Sequence, residues 1–126
     1  MIAVLCSADS FLQQKVSQIC SKAGIRVLRT AKLERAIHEL KQPNRLAIID
    51  VTLDDIQERG VLRRLVNLAR ITDNTVVCMC PNQEEDLKKL ARNARPTEVF
   101  LRYDLQTSFK AFIEATSVQA KQSNAG

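Results

Sequence analysis

Two hydrophobic rhythms alternate along this chain. Nearly unbroken apolar runs occupy 2–6 (IAVLC), 25–30 (IRVLRT), 45–51 (RLAIIDV), 75–80 (TVVCMC) and 98–102 (EVFLR). Between and after them, apolar residues return every three or four positions. The stripes are Leu12, Val16, Ile19 and Ala23; then Leu33, Ala36, Ile37 and Leu40; then Leu62, Leu65, Val66 and Ala69; then Leu87, Leu90, Ala91 and Ala94. A last stripe has Leu105, Phe109, Phe112 or Ile113, and Val118 facing inward. Short continuous runs predict strands covered on both faces, and the three-to-four spacing predicts amphipathic helices. The breaks agree with this reading. Gly24 stops the first helix, Gln42–Pro43–Asn44 the second and Asp73–Asn74 the third, while Pro81 ends the fourth strand. Asp9 or Ser10 supplies a cap for the first helix. Glu84, Glu85 and Asp86 open the fourth helix and Arg92 and Arg95 close it, as the helix dipole favours.

Five strands alternating with five helices make a (βα)5 α/β chain, expected to form a flavodoxin-like three-layer sandwich with a parallel sheet in the order 2-1-3-4-5. The strands at 25–30, which carries Arg26 and Arg29, and at 98–102 belong at the edges. Helices starting near residues 10 and 105 should share one face, and the three middle helices the other. Residues 1–120 read as one domain. The polar stretch 121–126 reads as a tail or the start of a linker to an output domain.

Composition narrows the function. The 126 residues suit a single core. No apolar run approaches the ~20 residues of a membrane span, and no signal segment opens the chain, so a cytoplasmic location is expected. The net charge is +5, but no basic run exceeds two residues and the five aromatics do not interleave with basic ones. Direct nucleic-acid binding is therefore not expected. A dinucleotide site would need a glycine-rich turn after the first strand, where this chain has SADSFL; its only glycines are Gly24, Gly60 and Gly126. Cys6, Cys20, Cys78 and Cys80 form no C-x-x-C pair and lie in apolar stretches. They read as packed small hydrophobes. His38, beside Glu34 and Glu39, reads as an exposed residue without a special role.

Three residues stand out by position. Asp50 ends the third apolar run, Cys80 follows thirty residues later, and Arg102 fifty-two residues after Asp50. In a parallel sheet they gather at the C-terminal edge, where open α/β folds place their chemistry. A charged pair Asp50–Arg102 is expected there, since a guanidinium matches a carboxylate.

With these intervals the chain resembles the receiver domain of bacterial two-component response regulators (CheY-like) over roughly residues 2–118. The resemblance places Asp50 at the phospho-acceptor, Cys80 at the Ser/Thr after the fourth strand and Arg102 at the lysine after the fifth. It also shows departures. Ser7 and Ala8 stand where the family has two metal-binding acids, Asp54 replaces the loop proline and Tyr103 the proline after the lysine. Asp9, Asp54 and Asp55 remain as lesser metal candidates, and bound Mg²⁺ is not expected. The resemblance thus implies an atypical, or pseudo-, receiver: a signal-transduction module rather than an enzyme, working without catalytic residues or cofactors. Its implied interaction face comprises Lys88, Lys89, Arg92, Arg95, Tyr103, Asp104, Gln106 and Lys110. The expected partner is a second copy or a covalently linked output domain (DNA-binding, cyclase or ATPase). Two alternatives are a true phospho-acceptor modified at Asp50 by a histidine kinase, and a thiol redox sensor.

Overall fold

A computed structural model describes residues 1–125, with side chains through Lys121; Gly126 lies outside the described residues. The strands are β1 (Ile2–Cys6), β2 (Arg26–Thr30), β3 (Arg45–Asp50), β4 (Thr75–Cys80) and β5 (Glu98–Leu101). They pair in parallel in the order β2-β1-β3-β4-β5, as the alternation predicts. The register aligns Cys6 with Ile49, Ile49 with Cys78, and Asp50 with Met79. The ends of the central strands therefore form one edge.

Helices α1 (Ser10–Lys22) and α6 (Lys110–Ala125) cover one face; α2 (Leu33–Leu40), α4 (Val61–Ile71) and α5 (Glu85–Asn93) cover the other. A short helix, α3 (Asp54–Gln57), precedes α4. Alternate strand residues feed two cores because successive side chains point to opposite faces. Val4, Cys6, Ala47, Ile49, Cys78 and Cys80 pack with α2, α4 and α5. Ala3, Leu5, Leu46, Ile48, Met79 and Phe100 pack with α1 and the segment leading into α6. Arg26 and Arg29 point outward from the β2 edge.

The turns follow from local chemistry. Gly24 (φ 78°) ends α1, and Ile25 N–H donates back to the Cys20 carbonyl at 2.9 Å. This left-handed exit satisfies carbonyls the helix leaves open. At the opposite edge of the sheet from Asp50, Asn74 does more than end α4. Its amide donates to the carbonyls of Leu40 and Gln42 at 2.9 and 2.8 Å, and its oxygen accepts from Arg45 N–H at 2.9 Å.

The last helical segment departs from a regular helix. A 3₁₀ turn at Arg102–Asp104 runs into a π-helical turn at Leu105–Phe109 before α6 begins. The inward positions become Leu105, Phe109, Ile113 and Ser117, four residues apart. Val118, expected to face inward, is 54% exposed. Ser117 takes its place and donates its hydroxyl to the Ala23 carbonyl at the end of α1. The helix also continues beyond residue 119, through Ala125, into the stretch read as a tail. No described helix is long and apolar enough to cross a membrane.

Candidate functional site

The site is assembled at the C-terminal edge of the sheet from the ends of β1, β3 and β5. Asp50 closes β3 and is 1% exposed. A carboxylate this buried requires partners. One oxygen, Oδ1, accepts from the Thr52 backbone N–H at 3.0 Å and the Thr52 hydroxyl at 2.7 Å. The other, Oδ2, accepts the Ser7 hydroxyl at 2.7 Å. These short bonds from hydroxyls to a carboxylate are the stronger, charge-assisted kind. Arg102 Nη2 stands 3.7 Å from the same Oδ2, so the expected Asp50–Arg102 pair forms as an ionic contact.

The hydrogen bond of that guanidinium goes elsewhere. Arg102 Nη1 donates to Asp9 Oδ2 at 2.7 Å. Asp9 is also the N-cap of α1, its Oδ1 accepting from Leu12 N–H at 3.1 Å. The bond from Arg102, then that from Leu12, holds the Asp9 carboxyl below its usual range. Arg102 thus ties the start of α1 to the end of β3. Ser7 is turned toward Asp50 by the loop itself, since Asp9 N–H donates to the Ser7 hydroxyl oxygen at 3.1 Å. On the outer side, Asn82 after β4 accepts from Tyr103 N–H at 2.9 Å. Tyr103 itself is 71% exposed.

The sequence reading does not assign Ser7 or Thr52 to Asp50, nor Asp9 to Arg102. Ser7 was noted only as the replacement of an acid, although a hydroxyl in that place can donate to the facing carboxylate. Thr52 carried a readable signal: a threonine two residues after an aspartate closes a local turn onto it. Asp9 was assigned to a cap or a metal, and only the fold reveals Arg102 against it.

A receiver-like edge raises the question of a divalent cation, and the donor set does not fit one. Asp50 and Asp9 spend their oxygens on Ser7, Thr52, Leu12 and Arg102. A guanidinium beside Asp50 Oδ2 would repel a cation. Asp54 and Asp55 are exposed on α3. Among the described residues, no three His, Cys, Asp or Glu side chains converge as a metal would need.

The cysteines are all buried and unpaired. Burial pushes the Cys6 and Cys80 thiols from 9.0 up to about 11 and the Cys20 thiol up to about 12, and raises Cys78 also. A thiol sensor needs access and a lowered pKa; these residues have neither. At neutral pH the native chain should leave all four thiols unreacted with an aromatic disulfide reagent, and release four on unfolding. The neutral thiols favour the folded state fully below pH 9.0. This preference is lost as pH rises through about 11, so stability should fall over that alkaline window. A thiol that reacts rapidly in the native chain would restore the sensor reading.

The implied interaction face is only partly surface. Lys89, Arg92, Arg95, Tyr103, Gln106 and Lys110 are exposed. Lys88 is 9% exposed and donates to Glu85 at 3.0 Å, so it drops out of the face. Its position on α5 turns it toward the sheet, where its charge reaches Cys80. Asp104 is half-buried and accepts from Leu101 N–H at 2.8 Å, so it shapes the turn. Arg95 lines a cleft against α4.

The sequence matches no family model and no curated protein. Solved structures match it over nearly all its length. A two-component response regulator from Clostridium difficile is 18% identical, with a TM-score of 0.72 over 92% of this chain and 94% of that one. A CheY-like response regulator receiver domain protein from Methanospirillum hungatei is 15% identical, with a TM-score of 0.69 over 94% and 97%. A protein named as pilus assembly-related from Burkholderia pseudomallei is 16% identical, with a TM-score of 0.68 over 94% and 90%. The fold is that of a CheY-like response-regulator receiver domain. Its edge pairs buried Asp50 with the partly exposed Arg102.

Proposed function

We propose that this chain is an atypical receiver that regulates through protein contact, without conventional phosphorylation of Asp50. The observation that supports this reading is the occupancy of Asp50. An aspartyl nucleophile needs a free oxygen and a cation to offset the charge of the incoming phosphoryl group. Here both oxygens hold hydroxyl donors, a guanidinium stands against one of them, and Ser7 replaces a carboxylate ligand. Incubation with a small-molecule phosphoryl donor and Mg²⁺, followed by intact-mass measurement, should show no adduct. A stoichiometric phosphoryl gain that disappears in Asp50→Asn would establish the phospho-acceptor reading and imply a histidine kinase.

With the switch chemistry set aside, the working surface is proposed to lie on α5, β5 and the start of α6, through Lys89, Arg92, Tyr103, Gln106 and Lys110. A mixed polar surface suits a two-fold, self-complementary contact. Rim charges add little affinity, so association of the domain alone should be weak and strengthened by a linked output module. The domain reading of 1–120, with an output module beyond it, belongs to this proposal. The likeness to a pilus assembly-related protein is compatible with an output other than DNA binding. Sedimentation velocity at increasing concentration tests the face. Arg92→Glu and Lys110→Glu should each reduce the concentration-dependent species; unchanged assembly in both removes this surface.

A further inference from the structure

Two adjoining hollows of about 390 and about 410 Å³ lie between α4 and α5 and share Arg63, Asn93 and Ala94. The first has an apolar floor of Leu62, Leu90 and Ala94. The second is polar, with Asn67, Arg70, Arg92 and Arg95 beside Arg63. Two guanidinium groups are held in place across the cleft. Arg63 Nη2 donates to the Asn93 carbonyl at 3.3 Å, and Arg70 Nη2 to the Arg95 carbonyl at 3.2 Å. A guanidinium has five N–H donors, so each keeps others for a ligand. Among the described residues, no carboxylate lines either hollow and no ion pair involves these arginines.

Arg95 adds an independent observation. It follows α5 in the left-handed conformation (φ 56°), where a glycine would be unstrained. The chain instead places a long cationic side chain at the polar end of the cleft.

We infer that this cleft docks an acidic segment of a partner protein, with an apolar side chain on the Leu62–Leu90–Ala94 floor and carboxylates on Arg63, Arg70 and Arg95. Guanidinium groups pair with carboxylates through two parallel hydrogen bonds. The apolar floor separates this ligand from a nucleic-acid backbone, which has no use for it. The lining also offers no aromatic ring on which a base would stack. A free nucleotide calls for a more enclosed, largely apolar pocket. The cleft shares Arg92 on α5 with the self-association face, so Arg70, on α4 and outside that face, is the position whose substitution separates the two proposals.

The test titrates the isotope-labelled chain, by amide NMR shifts, with a short Asp/Glu peptide bearing one central leucine. Saturable shifts should cluster in residues 62–70 and 90–97. The same peptide with serine for leucine, tripolyphosphate and a short DNA duplex should each bind several-fold more weakly. Arg70→Glu should weaken the peptide about tenfold, the scale of one lost charge pair made repulsive. Arg95→Gly should weaken binding while leaving Tm equal to or above the parent's, because it removes the guanidinium and relaxes the backbone together. No saturable shift, equal binding of the serine peptide, the phosphate or the duplex, or full binding by Arg95→Gly would each overturn the proposal.

Discussion

Phe109→Ala should lower the unfolding free energy by about 3–5 kcal/mol, the range for truncating a buried phenylalanine that leaves a cavity. Phe109 has no exposed surface and meets the Phe100 ring edge-on, with centroids 5.3 Å apart. Phe112 stands against the same Phe100 ring at 5.5 Å. The residue also closes the π-helical turn from which α6 starts. Its loss removes packing on β5 and loosens the anchor of α6 at the same time. A domain with ~5–15 kcal/mol of total stability would feel this strongly. Urea unfolding followed by circular dichroism measures it. A loss under about 1 kcal/mol would mean that the neighbours close the space, which is not expected beside a packed sheet. Phe109→Leu, which keeps most of the volume, should cost far less.

Arg102→Ala should cost about 1–3 kcal/mol, above the usual range for a surface change. Two carboxylates depend on it. Asp9 loses its 2.7 Å hydrogen bond, and buried Asp50 loses its only cation within 4 Å among the described residues. The Ser7 and Thr52 donors remain on Asp50, which is why the expected loss stays below that of a buried pair stripped of all its partners. A double-mutant cycle with Asp9→Ala separates the two partners. The sign of the pH dependence follows from Asp9. Its folded pKa is lowered, so its contribution is fully present above the ordinary carboxylate range and is lost as pH falls through the folded value. The parent should therefore lose stability in acid more steeply than Arg102→Ala. Equal acid sensitivity of the two chains, together with an unchanged urea midpoint, would leave Arg102 free of this role.

The same contacts tie together the elements that meet at this edge. Arg102 joins the α1 start to the β3 end, while Ser7 and Thr52 fill the acceptor positions of Asp50. Each of these partners stabilises the buried carboxylate.

Architecture was legible in the sequence because burial on both faces of a sheet demands uninterrupted apolar runs, and one-sided helices demand a three-to-four repeat. Those demands are local, and they sufficed for all five strands, their order, and the assignment of helices to faces. They also sufficed to bring Asp50, Cys80 and Arg102 to one edge. What tertiary structure alone decided is which groups meet there. Arg102 turned to Asp9, ninety-three residues away in the chain, because a guanidinium bonds the nearest well-oriented carboxylate, and spacing along a chain does not encode orientation. Lys88 went inward although its type predicts a surface, since its helical position faces the sheet and Glu85 receives its charge. Ser117 stands inward and Val118 outward because the helix is regular after Phe109, and about two and a half turns separate Val118 from that buried ring. Local patterns are dictated by the solvent, and they determined the frame. Pairings among charged and hydroxyl groups depend on distances of a few ångströms between remote segments, and only the folded chain sets those.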